Sequence, residues 1–94
     1  MAFVRIAKFP GGNEKHHRAI VEALGASYED CPGRVLFAAG PVEDGWQIVQ
    51  VFESEGALDR FVQEHLGAAF AKVGDRGYPA PPEIVDFTTV DLLA

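Results

Sequence analysis

Three histidines carry most of the chemistry that this 94-residue chain can offer: His16 and His17 in NEKHHRAIVEAL, and His65 in FVQEHL. A neutral imidazole takes or gives a proton near pH 7, because its reference pKa is ~6.5. General acid–base help of this kind contributes roughly 10² to 10⁴ in rate. On the two main helices predicted below, Leu58, Phe61, Val62, His65, Leu66, Ala69, Phe70 and Val73 share one apolar stripe, and His17, Ile20, Val21 and Leu24 another. His65 and His17 are therefore expected to face the sheet and are the candidate catalytic residues, while His16 flanks its stripe. The competing reading is structural: a histidine on an apolar face is commonly a core residue satisfied by a carbonyl or a water.

Other chemistries find less support. Adjacent His16 and His17 lack the i, i+4 spacing that would aim both at one metal, and Glu64-His65 adds no zinc pattern, so no metal site is expected. Cys31, in the turn EDCPG, is the single cysteine, which excludes an internal disulfide and a cysteine-based zinc site within one chain. Ser27 follows a helix end and Ser54 caps a helix, so neither sits on a nucleophile elbow. Gly11-Gly12 is a lone pair that reads as a turn, with no phosphate-binding loop, and no cofactor is expected.

A formal charge of −6 with no Lys/Arg cluster argues against nucleic acid and against a basic membrane anchor. No apolar run approaches the roughly 18 residues of a membrane span, and MAFVRIAKF lacks the long apolar core of a signal peptide, so a cytoplasmic protein is expected.

The elements that must position the histidines follow from periodicity and turn chemistry. FVRIAKF (3–9) is a strand stopped by Pro10-Gly11-Gly12; Asn13 caps a helix that Gly25 ends. RVLFAAGPV (34–42) and WQIVQVFE (46–53) form a hairpin around Glu43-Asp44-Gly45. Ser54 caps a helix to about Val73, closed by Gly74, and EIVDFTTVDLL (83–93) is the last strand after the loop GDRGYPAPP, whose Tyr78 is a candidate lid or pocket-mouth residue. The order βαββαβ predicts one ferredoxin-like α+β domain over 1–94, a four-stranded antiparallel sheet with strands one and three central and both helices on one face. VLFAAG and IVQVF are apolar on both sides, so the second sheet face needs cover, and a homodimer packed sheet to sheet is the simplest source.

The element order, the opening FVRIAKF and above all WQIVQVFESEGALDRFVQEHLGAAFAKVG resemble the dimeric α+β barrel superfamily, which includes antibiotic-biosynthesis-type monooxygenases. In those proteins a tryptophan-led strand typically runs into a helix through a phrase like W-E-S-E-x-A-F-x-x-F, and residues 52–61, FESEGALDRF, stand in that place. The superfamily also holds cyclases, isomerases, haem-degrading enzymes and proteins of no known activity, so the resemblance speaks for fold more than for reaction. Its haem-degrading members carry an iron-binding histidine about ten positions after the aromatic that matches Phe61; Ala71 falls there, which argues against that branch.

The resemblance implies a ligand pocket between sheet and helices. Trp46, Phe61 and Phe70 suit it to a hydrophobic or aromatic small molecule, and Arg5, Asp86 and Gln50 are candidate polar contacts if their side chains share a face. Two functions follow as expectations. One is a cofactor-independent monooxygenase, cyclase or isomerase acting on an aromatic or polyketide-like substrate. The other is a non-catalytic dimeric module that binds a hydrophobic ligand or is merely structural.

Overall fold

In the computed structural model, which describes residues 1–93, each expected element is present. Strand β1 (Phe3–Pro10) leads to helix α1 (Glu14–Leu24), a short helix α2 (Ala26–Glu29) and the hairpin β2 (Arg34–Val42) and β3 (Gly45–Phe52). Helix α3 (Glu55–Phe61) passes through a π turn (Val62–Leu66) into α4 (Gly67–Val73), and β4 (Glu83–Thr88) completes the sheet. The strand order is β2-β3-β1-β4, antiparallel throughout, with β1 and β3 central as expected for a ferredoxin-like fold.

Local chemistry accounts for these boundaries. Asn13 Oδ1 accepts from the His16 amide and His16 Nδ1 accepts from the Asn13 amide, both at 3.2 Å, a capping box in which histidine takes the role usual for Glu or Gln. Ser54 Oγ likewise accepts from the Ala57 amide at 3.1 Å to start α3. At the hairpin, a Cβ on Gly45 would stand 2.1 Å from the Phe9 carbonyl oxygen, so only glycine lets β3 begin beside the end of β1.

Two departures have physical causes. Strand β4 stops at Thr88 rather than Leu93, because Thr88 already lies opposite Phe3, the first residue of β1. Thr89 closes the ladder by donating its amide to the Ala2 carbonyl at 2.8 Å, and among the described residues no strand pairs with residues 90–93. The second long helix is not a uniform 3.6-residue spiral: the turn Val62–Leu66 carries i→i+5 bonding, which leaves a strict helical wheel invalid around His65.

The sheet has two apolar faces. On the helix side Phe3 and Phe52 pack with Leu58 and Phe61, and Phe52 and Leu58 are fully buried. On the other side the registers align Leu36, Val51, Val4 and Phe87 in one row across all four strands, and Ala38, Val49, Ile6 and Val85 in the next. Val4 and Val51 are buried there, whereas Leu36, Phe87 and Val85 are 48%, 49% and 59% exposed.

Candidate functional site

Between the sheet and the helices lies a cavity of about 550 Å³, within the range of small-molecule sites. The sheet supplies Arg5, Ala7 and Phe9 from β1, Arg34 and Phe37 from β2, Ile48 and Gln50 from β3, and Ile84 from β4. Helix α1 contributes His17, Ile20, Val21 and Leu24; Leu58, Phe61, Val62, Leu66 and Phe70 line the opposite wall. The loop residues 78–82, YPAPP, also line the cavity. The lining is therefore mostly apolar and aromatic, with a few polar groups fixed at defined points.

His17 is the central one. It is 4% exposed, and its ring lies 5.2 Å from that of Trp46 and 6.1 Å from those of Phe37 and Tyr28. Burial among these rings pushes its pKa below the usual value, Arg18 adds to the effect and Glu14 opposes it, so His17 is neutral at pH 7. Its Nδ1 lies 3.5 Å from Tyr78 Oη. Burial raises the pKa of Tyr78, which keeps its hydroxyl protonated. If Nδ1–H donates to Tyr78, Nε2 is left as a base; if Tyr78 donates to Nδ1, Nε2–H is an acid. The pair has the composition of a proton relay.

Tyr78 is held in turn by stacking on Phe9, with ring centroids 3.8 Å apart and planes 16° from parallel. Gly12 makes room for it: a Cβ there would meet Tyr78 Cδ1 at 2.8 Å and the Phe9 carbonyl oxygen at 3.0 Å. The glycine pair read as a plain turn thus also seats a lining residue of the cavity.

The polar row across the sheet has the register its residues require. Arg5 lies opposite both Gln50 and Asp86, so all three share the helix-side face. Arg5 Nε and Nη2 donate to Asp86 Oδ1 and Oδ2, each at 2.9 Å, a bidentate pair that raises the pKa of Arg5 and lowers that of Asp86. Gln50 does not join that pair by a hydrogen bond: it is 7% exposed and its Oε1 is buried with no partner.

Of the residues singled out from sequence, His17, Arg5, Gln50, Phe61 and Phe70 line the cavity. Asp86 stands behind Arg5 as its ion-pair partner. Trp46 lies on the far side of His17, where it lines a second depression that also reaches Tyr28 and Phe37. His65 does not face the sheet, contrary to expectation. It is exposed, and its Nδ1 lies 3.3 Å from Ser27 Oγ, beside α2. The π turn is the cause: through it the cavity-facing line passes to Val62, Leu66 and Phe70, and His65 is left on the helix flank.

Sequence reasoning missed Arg34 and gave Tyr78 as a lid or pocket-mouth candidate with no link to His17. Arg34 reads as a strand's first residue, yet its guanidinium carbon lies 5.3 Å from the Phe37 ring centroid and 5.9 Å from that of Tyr28. Tyr28 itself belongs to α2, an element of four residues too short to register in periodicity. Among the described residues no cluster of metal-ligating side chains is present, and no helix is long and apolar enough to cross a membrane.

No protein-family model and no curated protein matches the sequence significantly. Solved structures do match over the whole chain. A monooxygenase from the gene ActVA-Orf6 of Streptomyces coelicolor, solved in complex with the ligand nanaomycin D, is 26% identical, with 99% of this chain and 91% of that one covered and a TM-score of 0.58. A candidate antibiotic biosynthesis monooxygenase from Caulobacter crescentus is 15% identical, with 96% and 91% covered and a TM-score of 0.75. A dimeric ferredoxin-like protein of unknown function from Jannaschia is 16% identical, with 95% and 100% covered and a TM-score of 0.63. The chain has the ferredoxin-like α+β fold of these structures, which include antibiotic biosynthesis monooxygenase-like proteins.

Proposed function

We propose that this protein is a cofactor-independent enzyme acting on an enolisable aromatic or polyketide-like substrate held in the cavity, with His17 as the group that moves the proton. The observation that carries the reading is a neutral, buried imidazole lining an apolar cavity and standing next to a protonated tyrosine hydroxyl. His17 takes a proton from the substrate, and Tyr78 stabilises or relays it. A monooxygenase reaction suits such a site: an electron-rich phenolate can itself reduce dioxygen, one oxygen atom entering the ring as a quinone carbonyl and the other leaving as water. Cyclisation or isomerisation would begin with the same deprotonation. The Streptomyces monooxygenase, solved with nanaomycin D bound, supports the reading of a small-molecule oxygenation.

The proposed working form is a homodimer joined through the outer sheet faces. Its support is the pair of continuous apolar rows from Leu36 to Phe87 and from Ala38 to Val85, together with the dimeric neighbour from Jannaschia. A row of half-exposed Leu, Val and Phe on a monomer this small is a surface that association would cover.

The test is turnover under air of a panel of polycyclic phenols by purified protein with no added flavin or metal, followed by quinone absorbance and oxygen uptake. The expected result is turnover by the wild type that falls by roughly 10² or more in His17→Ala. Binding without turnover, unchanged by His17→Ala, would instead mark the protein as a non-catalytic ligand carrier.

A further inference from the structure

The chain carries 14 acidic residues against 8 Lys and Arg, yet among the described residues the charged side chains that line the cavity are two cations, Arg5 and Arg34, and no Asp or Glu lines it. Arg5 is paired with Asp86, but the two ends of that pair are placed differently. Asp86 is exposed on the edge strand β4, outside the cavity lining, so water screens its charge, whereas Arg5 stands in the wall. Asp86 occupies the Nε and Nη2 edge of the guanidinium, and the planarity of that group then points Nη1 directly away from Asp86, off the edge strand and back over the sheet. Nη1 forms no hydrogen bond among the described residues and, unlike Arg34 Nη1, it is not enclosed. Arg34 adds a second positive charge, and among the described residues no carboxylate pairs with it.

A charge set among apolar side chains acts more strongly on a bound group than one in open water, because little solvent lies between them. A neutral aromatic ligand leaves the open guanidinium donors unmatched, whereas a carboxylate accepts from them in charge-assisted hydrogen bonds. We propose that the ligand of this cavity is an aromatic carboxylate, its rings among the apolar residues and its carboxylate on Arg5 Nη1, with the Arg34 charge adding to the attraction. The proposal rests on the reading of the cavity as a site for an aromatic ligand and narrows that ligand to an acid. A net charge of −6 repels anions from the rest of the surface, so a preference for an anion has to originate at a local site. Arg5 selects and orients the ligand, separate from the proton transfer assigned to His17.

The test is calorimetric titration at about pH 8 with 2-naphthoate, which is ionised there, with 2-naphthamide, which has nearly the same shape but no charge, and with 2-naphthol as a second neutral probe. The wild type is expected to bind 2-naphthoate tighter than 2-naphthamide by on the order of 10-fold or more. Arg5→Gln should erase most of that preference and Arg34→Gln part of it, while both still bind 2-naphthamide, which also shows that the variants are folded. Arg5→Lys, which keeps the charge, should retain part of the preference. Equal affinity of the wild type for 2-naphthoate and 2-naphthamide, or tighter binding of the amide, overturns this proposal alone and needs no variant. A preference fully kept by Arg5→Gln also overturns it. If the wild type binds none of the three probes, the aromatic-ligand reading fails and this proposal fails with it.

Discussion

Tyr78 Oη and His17 Nδ1, 61 residues apart in sequence, lie 3.5 Å from one another at the cavity wall. Tyr78→Phe deletes the hydroxyl and keeps the ring that stacks on Phe9. If the hydroxyl serves proton transfer, turnover should fall by about tenfold or more, while thermal unfolding moves little, since a neutral hydrogen bond contributes about 1 kcal/mol. Unchanged kcat/KM with an unchanged pH profile would remove Tyr78 from the relay.

The same burial gives a pH signature. His17 has its pKa lowered in the folded state, so between that value and ~6.5 the unfolded chain binds the extra proton. Stability is therefore full above ~6.5 and declines as the pH falls through the lowered native pKa. Melting curves should show the wild type losing stability over that acidic window and His17→Gln losing less of it. A variant with the same pH slope as the wild type would mean that His17 is not buried neutral.

For His65 the expectation is the reverse. Its imidazole is exposed and touches Ser27 rather than the cavity, so His65→Ala should change stability by no more than ~0.5 kcal/mol and leave turnover intact. Loss of activity in this variant, with the fold retained, would return His65 to the catalytic site.

The contrast between the two histidines shows what the sequence could and could not convey. Turn and cap chemistry is local, so Pro10-Gly11-Gly12, Asn13, Ser54 and the hairpin at Glu43-Asp44-Gly45 were readable, and with them the element order. Given that order, the neighbouring strands of Arg5, Gln50 and Asp86 were also readable, but the register that puts all three on one face was not. The π turn was not, because i→i+5 bonding leaves no mark in residue type, and His65 moved off the stripe as a result. Arg34 was hidden by the irregularity between Arg34 and Leu36, which breaks simple alternation: counting by twos puts Leu36 with Arg34, whereas Phe37 actually shares its face. The Tyr78 contact depends on where a proline-rich loop returns, which no local pattern specifies.

Gly12→Ala probes that loop. The added Cβ would meet Tyr78 Cδ1 at 2.8 Å with the Phe9 carbonyl on its other side, so the tyrosine must leave its stack or the turn must shift. Overpacking of this kind typically costs about 1–3 kcal/mol. The variant should melt lower and bind 2-naphthol more weakly, with Tyr78 more accessible to solvent by fluorescence quenching. Wild-type stability and binding would mean that the loop tolerates displacement and is not part of the site.

The outer sheet face provides the last prediction. Val85 is 59% exposed and sits in the row Ala38, Val49, Ile6 and Val85, which joins all four strands. A charge placed there on a monomer meets water and does little harm, whereas in a face-to-face dimer it would be buried against apolar side chains without a partner, a costly arrangement. Sedimentation across a concentration series should therefore find the wild type dimeric and Val85→Glu shifted to monomer, with the far-UV spectrum unchanged. Leu36→Glu, on the opposite edge of the neighbouring row, should do the same, because a sheet-to-sheet dimer covers both edges. If the wild type sediments as a monomer, or if neither substitution alters its mass, the apolar rows are not a dimer interface.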